Sequence, residues 1–343
     1  MKRVGVLTGG GDAPGLNSVI RAVTRKALAD GFEVIGFKNG WRGLIEDDVV
    51  PLDLQSVSGI LHKGGTILGT SRTNPSKKPE DMQQLLDTIK RRQLTALIAV
   101  GGEDTLGVAN ALFKQHRVPV VGVPKTIDND LSGTEVTFGF DTAVNIAMEA
   151  IDRLHTTAES HHRIMVVEVM GRHAGWIGLY AGIAGGADVI LLPEIPIDLD
   201  EVCAILRRRQ QRGKEFSIVV VAEGATFKDT SNVTIEEKRD AFGHVRLGGV
   251  GQILAEKIEE QTGFETRVTV LGHIQRGGSP TAYDRVLGTR YGIKAVELVE
   301  AGKFGYMVAL RCNQMIAIPI EEAVKQLKTV DKDLYEIAKV FFG

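Results

Sequence analysis

The chain has 343 residues, a formal net charge of −2 and 43% hydrophobic residues, which suffices for one large or two ordinary globular domains. The nearly balanced charge argues against general binding to nucleic acid or to a membrane, and the only two cysteines argue against a disulfide framework or a zinc site. The amino-terminal residues run straight into a predicted strand, and no apolar run approaches the roughly 18 residues of a membrane span. We therefore expect a soluble, cytoplasmic protein.

Predicted strands alternate with predicted helices along the chain. Strand-like apolar runs lie at 4–8, 33–37, 96–100, 118–123, 163–169, 189–192, 217–222 and 267–272. Helical patterns lie at 15–30, 79–92, 105–115, 140–158, 173–185, 199–213, 248–262 and 284–301. This alternation predicts an α/β fold in which helices cover two mostly parallel sheets. The polar segment 226–247 is predicted to be an exposed loop.

Two glycine-rich loops follow the first predicted strands. GGGDAPGLN at 9–17 leads from a strand into a helix, and GGTILGTSR at 64–72 ends in an arginine. Consecutive glycines let backbone N–H groups approach a phosphate, and a helix N-terminus adds the positive end of its dipole. The first loop lacks the spacing of a dinucleotide-binding motif or a P-loop, and a tight turn explains it equally well. Arg72, taken alone, is typical of a surface salt bridge, although arginine can also bind phosphate bidentately.

Acidic residues follow two neighbouring predicted strands. GGEDT at 101–105 comes after the run 96–100, and PKTIDND at 124–130 comes after the run 118–123. Open α/β sheets bind ligands at the carboxyl ends of their strands, so these segments are predicted to share one site. Carboxylates and a lysine are costly to bury without partners, and a divalent cation with a polyanionic substrate would satisfy both. The pattern points to phosphoryl transfer.

Each of these segments has a specific chemical interpretation. Glu103 or Asp104 would bind magnesium, which takes one or two carboxylates together with substrate phosphates, although acids also favour the first turn of any helix. Asp128 would accept the proton of a substrate hydroxyl. Lys125 and Thr126 would hold the phosphoryl group that is transferred.

Arginines and histidines follow two further predicted strands. Arg172 and His173 come after the run 163–169, and His273 and Arg276 come after the run 267–272. Each of them alone would be an ordinary surface residue. Their repeated position at strand ends, with two more arginines at 163 and 267, suggests a set that surrounds a sugar phosphate.

The motifs together resemble those of the 6-phosphofructokinase family, in order and spacing and over essentially the whole chain. They are GGGDAPGLN at 9–17, GGTILGTSR at 64–72, PKTIDND at 124–130, SHHR at 160–163, VEVMGRHAG at 167–175 and LGHIQRGGSP at 271–280. The resemblance implies two Rossmann-like three-layer α/β/α domains with mostly parallel sheets. The larger, donor-binding domain would comprise 1–139 and 275–326, and the smaller, fructose 6-phosphate-binding domain 140–274 and 327–343.

The resemblance also implies roles for individual residues. The general base corresponds to Asp128, and other reaction-centre residues correspond to Thr126, Asp130 and Arg172. The sugar-phosphate contacts correspond to Arg163, Met170, Gly171, Arg172, Glu223, Arg267, His273 and Arg276. Contacts with the phosphoryl donor correspond to Gly11, Gly102 and Arg72. In the family, the arginines that match Arg163 and Arg267 reach in from a neighbouring subunit, so we expect a homodimer or homotetramer with shared active sites.

Three residues depart from the ATP-using bacterial pattern. Asp104 and Lys125 replace glycines, and this pair resembles the pyrophosphate-using branch of the family. A carboxylate at 104 adds bulk and negative charge where the α-phosphate and ribose of a nucleotide would pass. Lys125 would supply a cation to a compact donor without a nucleoside. Glu103 replaces the usual aspartate as the magnesium ligand and does not by itself decide the donor.

We therefore expect reversible transfer from pyrophosphate to the 1-hydroxyl of fructose 6-phosphate, with magnesium as cofactor. Little allosteric control is expected, because Leu54 and His155 stand where regulated bacterial enzymes carry arginines and Asp188 replaces a glutamate. The alternatives are the same fold with ATP as donor, a kinase of the NAD or diacylglycerol class, and a binding subunit without activity. The last two fit poorly, since the sugar-phosphate motifs and the catalytic residues are all present.

Overall fold

The structure is a computed structural model that describes residues 2–229 and 248–343. Its strands, in chain order, are β1 Arg3–Thr8, β2 Glu33–Phe37, β3 Val49–Leu52, β4 Ala96–Gly101, β5 Val120–Pro124, β6 Ile164–Val169, β7 Val189–Leu191, β8 Ser217–Ala222, β9 Thr266–Val270, β10 Tyr306–Arg311 and β11 Gln314–Pro319. The predicted loop 226–247 lies outside the described residues, except for 226–229.

Helices connect and cover these strands. They are α1 Leu16–Ala29, α2 Trp41–Glu46, α3 Pro79–Arg91, α4 Glu103–His116, α5 Phe140–His161, α6 Trp176–Ala184, α7 Leu199–Gln211, α8 Val250–Thr262, α9 Ala282–Glu300, α10 Ile320–Val324 and α11 Lys332–Lys339. Two short 3-10 helices lie at Pro75–Lys77 and Gly272–Arg276.

The strands form two sheets. The larger has seven strands in the order β11-β10-β5-β4-β1-β2-β3, and the smaller has four in the order β7-β8-β6-β9. All pairs are parallel except β2 with β3 and β10 with β11, which form the two edges of the large sheet. The predicted α/β fold with mostly parallel sheets is therefore confirmed.

Each sheet lies between two layers of helices, as the side-chain alternation of its central strands shows. In β4, Ile98 packs into a core with α1 and α9, whereas its neighbour Leu97 packs into a separate core with α4. In β8, Val220 and Val221 likewise belong to cores on opposite faces. Successive strand residues point to opposite faces, so a strand that is apolar throughout requires cover on both sides.

Several elements of the large sheet were not predicted. The hairpin of β10 and β11 turns at Cys312 and Asn313, which adopt φ values of 48° and 59°. Two residues with positive φ form the turn that suits a tight hairpin, and asparagine is among the residues that tolerate it. The division of the chain into domains at 139/140, 274/275 and 326/327 stays a prediction.

Candidate active site

One cleft at the carboxyl ends of β1, β4 and β5 gathers most of the predicted site residues. The cleft is partly open to solvent, and its empty space, the open mouth included, is about 520 Å³. The predicted residues that line it are Gly11, Arg72, Gly102, Glu103, Asp104, Lys125, Thr126, Asp128, Asp130, Arg172 and Arg276. The two acidic segments meet there because β4 and β5 are neighbours, and the Lys125 N–H donates to the Gly101 carbonyl at 3.0 Å.

The two glycine-rich loops form one wall of the cleft. The Gly10 N–H donates to the Ser71 carbonyl at 3.2 Å, and the Thr70 hydroxyl donates to the Gly10 carbonyl at 2.6 Å. A Cβ atom on Gly11 would lie 2.8 Å from the guanidinium of Arg276, so a side chain at this position would displace that arginine. The loops therefore leave space for a ligand at the backbone.

Lys125 lies beneath this wall and is 3% exposed. Its Nζ donates to the Gly11 carbonyl. Burial, and after it the charge of Arg276, lower the pKa of Lys125 to about 7, while the carboxylate of Asp128 opposes the shift. A buried cation with a single carbonyl partner is well suited to a bound anion.

Asp128 and Asp130 lie on the loop after β5, where both are buried. One oxygen of each carboxylate, Oδ1, has no hydrogen-bond partner in the described part of the chain. The Thr126 hydroxyl accepts the Asp128 N–H at 3.0 Å and fixes the turn. Burial, together with the charge of Asp128, raises the pKa of Asp130 to about 6. A buried carboxylate with a free oxygen is able to accept a proton from a substrate hydroxyl.

The small sheet supplies Arg172 to the same cleft. Met170, Gly171 and Arg172 follow β6, and the Glu223 carboxylate after β8 accepts the backbone N–H groups of Gly171 at 3.4 Å and of Arg172 at 3.2 Å. Arg172 has a φ of 52°, a backbone conformation that residues other than glycine rarely adopt. Burial raises the pKa of Glu223, with the charge of Asp128 as the second cause.

The second arginine-histidine motif is divided between the cleft and the surface. Arg276 ends the 3-10 helix after β9 and donates to the Asp12 carbonyl at 3.2 Å, which joins it to the first glycine-rich loop. His273 lies on the same short helix and is exposed. His273 is therefore close in sequence to Arg276, which lines the cleft, but does not line the cleft itself.

Arg163 and Arg267 are not brought to this cleft within the chain. Arg163 precedes β6 and Arg267 is the second residue of β9, so both lie at the amino ends of their strands, opposite to Arg172. Six residues of strand span about 20 Å. The two arginines contact the same acid instead, Glu265, at 2.7 and 2.5 Å.

Glu103 and Asp104 begin α4 at the edge of the cleft, where Glu103 is exposed and Asp104 half-buried. Among the described residues, no group of three or more His, Cys, Asp and Glu side chains is arranged to hold a metal ion alone. This fits magnesium, which binds few protein carboxylates and completes its shell with phosphate oxygens and water. Glu103 lines the cleft and is exposed, so it is the residue that would hold the ion.

Two cleft residues, Gly10 and Thr105, were not among the predicted site residues. Thr105 is 2% exposed, and a Cβ added to Gly101 would lie 2.3 Å from the Cβ of Thr105. Its position four residues after a glycine at a strand end was the available signal. Both residues help to define the shape of the cleft.

Comparisons with known proteins agree with the fold. Residues 3–299 match the family model described as phosphofructokinase. Similar curated proteins include the pyrophosphate–fructose 6-phosphate 1-phosphotransferase of Streptomyces coelicolor, 59% identical over 99% of this chain and 100% of that one. The ATP-dependent 6-phosphofructokinase of Mycobacterium tuberculosis is 52% identical over 99% of this chain and 100% of that protein.

A solved structure of phosphofructokinase from Saccharomyces cerevisiae superposes with a TM-score of 0.82 at 31% identity. The alignment covers 99% of this chain and 47% of that longer chain. The chain belongs to the phosphofructokinase family. No helix in residues 2–229 and 248–343 is long and apolar enough to cross a membrane.

Proposed function

We propose that the protein transfers a phosphoryl group from pyrophosphate to the 1-hydroxyl of fructose 6-phosphate, giving fructose 1,6-bisphosphate and phosphate. The observation that carries this proposal is the presence of Lys125 and Asp104 in the same cleft as Asp128 and Arg172. The first pair bears on the donor, and the second pair bears on the transfer itself.

The residues of the cleft divide the work of an in-line transfer. Asp128 takes the proton of the 1-hydroxyl as the oxygen attacks the nearer phosphorus of pyrophosphate. The bond from that phosphorus to the bridging oxygen breaks, and phosphate leaves with the bridging oxygen. Arg172, Arg72 and Thr126 stabilise the negative charge on the moving group. Because two phosphates of similar chemistry are exchanged, the reaction runs in both directions.

Magnesium would be bound by Glu103 together with oxygens of the donor, and it would neutralise charge on the pyrophosphate. The exposed carboxylate of Glu103 at the cleft edge supports this assignment. Lys125 approaches the same donor from the buried side of the cleft, where its cation is shielded from water.

The choice of pyrophosphate over ATP is supported by the position of Asp104. It lies in the first turn of α4, beside Glu103 and opposite the glycine-rich loop with Gly11. A nucleotide in this cleft would bring its own negative charge against the carboxylate. The relatives named above include both a pyrophosphate-dependent and an ATP-dependent enzyme, and the one that uses pyrophosphate is more similar.

Fructose 6-phosphate would be held by two chains. Arg163 and Arg267 lie too far from the cleft of their own chain, which supports a homodimer or homotetramer in which they reach the cleft of a neighbouring subunit. Met170, Gly171, Glu223, His273 and Arg276 would contact the sugar phosphate from the same chain as Asp128. A cytoplasmic location fits these metabolites.

Weak allosteric control is supported by the residues at the positions of the family's effector site. Asp188 is paired with Arg209 at 2.9 Å and accepts the Ile218 N–H at 2.9 Å. His155 contacts the Gly185 carbonyl through Nε2 at 2.7 Å, and Leu54 is 55% exposed. An effector would have to displace these internal contacts.

The deciding experiment compares kcat/KM for pyrophosphate and for ATP on purified protein. We expect at least a hundredfold preference for pyrophosphate. The double variant Asp104→Gly/Lys125→Gly should lose much of its activity with pyrophosphate and gain activity with ATP. A wild-type preference for ATP would overturn the choice of donor, and phosphoenolpyruvate added to the same assay would inhibit strongly if the effector site were intact.

A further inference from the structure

The carboxyl-terminal segment 326–330 packs against the loop after β5 that carries Asp128 and Asp130, which we call the catalytic loop. Leu131 and Leu327 form an antiparallel bridge, and the Lys328 N–H donates to the Asp130 carbonyl at 2.8 Å. The Ser132 hydroxyl donates to the Gln326 carbonyl at 2.8 Å. The segment thus pairs with the loop through an isolated β-bridge, and residues 326–330 are not among the described residues that line the cleft.

Lys328 makes the densest set of contacts in this segment. Its ammonium donates to the Asn129 Oδ1 at 3.0 Å, to the Thr134 carbonyl at 3.0 Å and to the Glu135 carbonyl at 2.7 Å. An ammonium has three donors, so all of them are used. Asn129 is 3% exposed, lies between the two catalytic-loop aspartates and has a φ of 52°. The lysine therefore contacts the side chain of a residue whose backbone lies in the left-handed region.

The same segment also contacts the element that follows the Arg172 loop. The Trp176 Nε1 donates to the Lys328 carbonyl at 2.8 Å, and the Lys328 Nζ lies 5.1 Å from the centre of the Trp176 ring. The Glu194 carboxylate accepts the N–H of Val330 at 2.8 Å and that of Gly175 at 2.9 Å. Gly175 and Trp176 begin α6, directly after the loop that carries Arg172.

From these contacts we infer that Lys328 is a positioning residue, which sets the place of Asp128 relative to Arg172 without touching the substrate. It joins the loop of the general base to the start of α6, two parts of the site that come from different sheets. In-line transfer depends on the distance between the base, the hydroxyl and the stabilised phosphoryl group, and a shift of about 1 Å costs up to about a hundredfold in rate.

The charge of Lys328 contributes to this role. Burial lowers the pKa of Lys328 to about 8, while the carboxylates of Asp130 and Glu135 oppose that shift. The ammonium is thus a partly desolvated cation next to a loop that carries two buried carboxylates. Its loss would leave the Asn129 amide oxygen and the carbonyls of Thr134 and Glu135 with fewer donors.

The test compares Lys328→Met and Lys328→Arg with the control Lys325→Met. The control removes an exposed lysine three residues earlier in the same chain. This inference rests on the proposed function, so wild type is first assayed with pyrophosphate and with ATP. Activity with ATP alone would overturn the donor and leave Lys328 testable with ATP, whereas activity with neither would overturn the proposed function itself.

For Lys328→Met we expect kcat to fall at least tenfold, with KM for fructose 6-phosphate and its equilibrium binding within threefold of wild type. Lys328→Arg should recover most of kcat, and Lys325→Met should match wild type. A smaller loss in kcat overturns the inference, and so does a loss that follows a lowered Tm and is not recovered by arginine.

If Lys328→Met does not fold, Trp176→Phe provides the second test. It keeps an aromatic ring near the ammonium and removes the indole N–H that donates to the Lys328 carbonyl. We expect a threefold or larger fall in kcat at unchanged KM for fructose 6-phosphate. Unchanged kcat in this variant would overturn the inference.

Discussion

The two sheets present their functional side chains in opposite ways. The large sheet brings Lys125, Asp128 and both glycine-rich loops to one edge of a single chain. The small sheet delivers Arg172 to that cleft from its carboxyl edge but keeps Arg163 and Arg267 at its amino edge. One chain thus brings the residues proposed for the donor and for the reaction into one cleft, whereas two arginines proposed to bind the sugar phosphate lie outside it.

The largest effect is expected from a change in the cleft that a single chain forms. In Asp128→Ser, the base that takes the 1-hydroxyl proton is lost, and we expect kcat to fall about a thousandfold. Binding of fructose 6-phosphate should stay within a few-fold of wild type, because the arginines are unchanged. Steady-state kinetics and titration calorimetry measure the two quantities, and full turnover in this variant would rule out Asp128 as the base.

The next largest effect concerns the two arginines that lie outside the cleft of their own chain. Arg163→Ala with Arg267→Ala should raise KM for fructose 6-phosphate about 100-fold, since two charge-assisted contacts are lost and each contributes at least about 1.5 kcal/mol. The effect on kcat should be small. Arg42→Ala, which removes a surface arginine paired with Glu46, is the matched control.

Mixing these two variants tests the sharing of sites directly. A mixed oligomer of Asp128→Ser subunits and double-arginine subunits contains sites with an intact base from one chain and intact arginines from the other. We expect activity above the sum of the separate variants after the subunits are exchanged. A mixture no more active than its parts would show that each chain uses its own arginines.

The smallest effect separates the two sides by pH. The pKa of Lys125 is lowered to about 7, so its cation is lost as the pH rises through that value. We expect KM for pyrophosphate to rise about fivefold to tenfold between pH 7 and 8.5, while KM for fructose 6-phosphate stays flat because arginine remains charged. Lys125→Gly is the control, since it shares every other ionisation. An equal rise in that variant would remove Lys125 as the cause.

The sequence was sufficient to predict most of the fold and of the cleft. Apolar runs with polar residues at their ends located β1, β4, β5, β6 and β8, and the shared carboxyl edge of parallel strands placed their following residues together. The family motifs then identified the residues of the cleft. The antiparallel edges β3 and β11 were missed, because short half-exposed strands have no clear pattern of their own.

The residues that hold the site from behind were also missed. Glu168, in an otherwise apolar strand, accepts the N–H groups of Gly249 and Gly251 and thereby caps α8. Asp284 accepts both the N–H and the hydroxyl of Thr142 at the start of α5. Lys328 acts on Asn129 from the far end of the chain. Such partners are set by tertiary contacts, and nothing in the local sequence indicates them.

The distance along the chain between Asn129 and Lys328 has a consequence for protein synthesis. The catalytic loop leaves the ribosome 199 residues before the lysine that holds its asparagine. At ordinary rates of synthesis this delay lasts on the order of 10–40 s. During that time the loop, with its two carboxylates, lacks the β-bridge to Leu327 and the hydrogen bond from Lys328. The contact between Lys328 and Asn129 thus forms long after the residues of the loop have been synthesised.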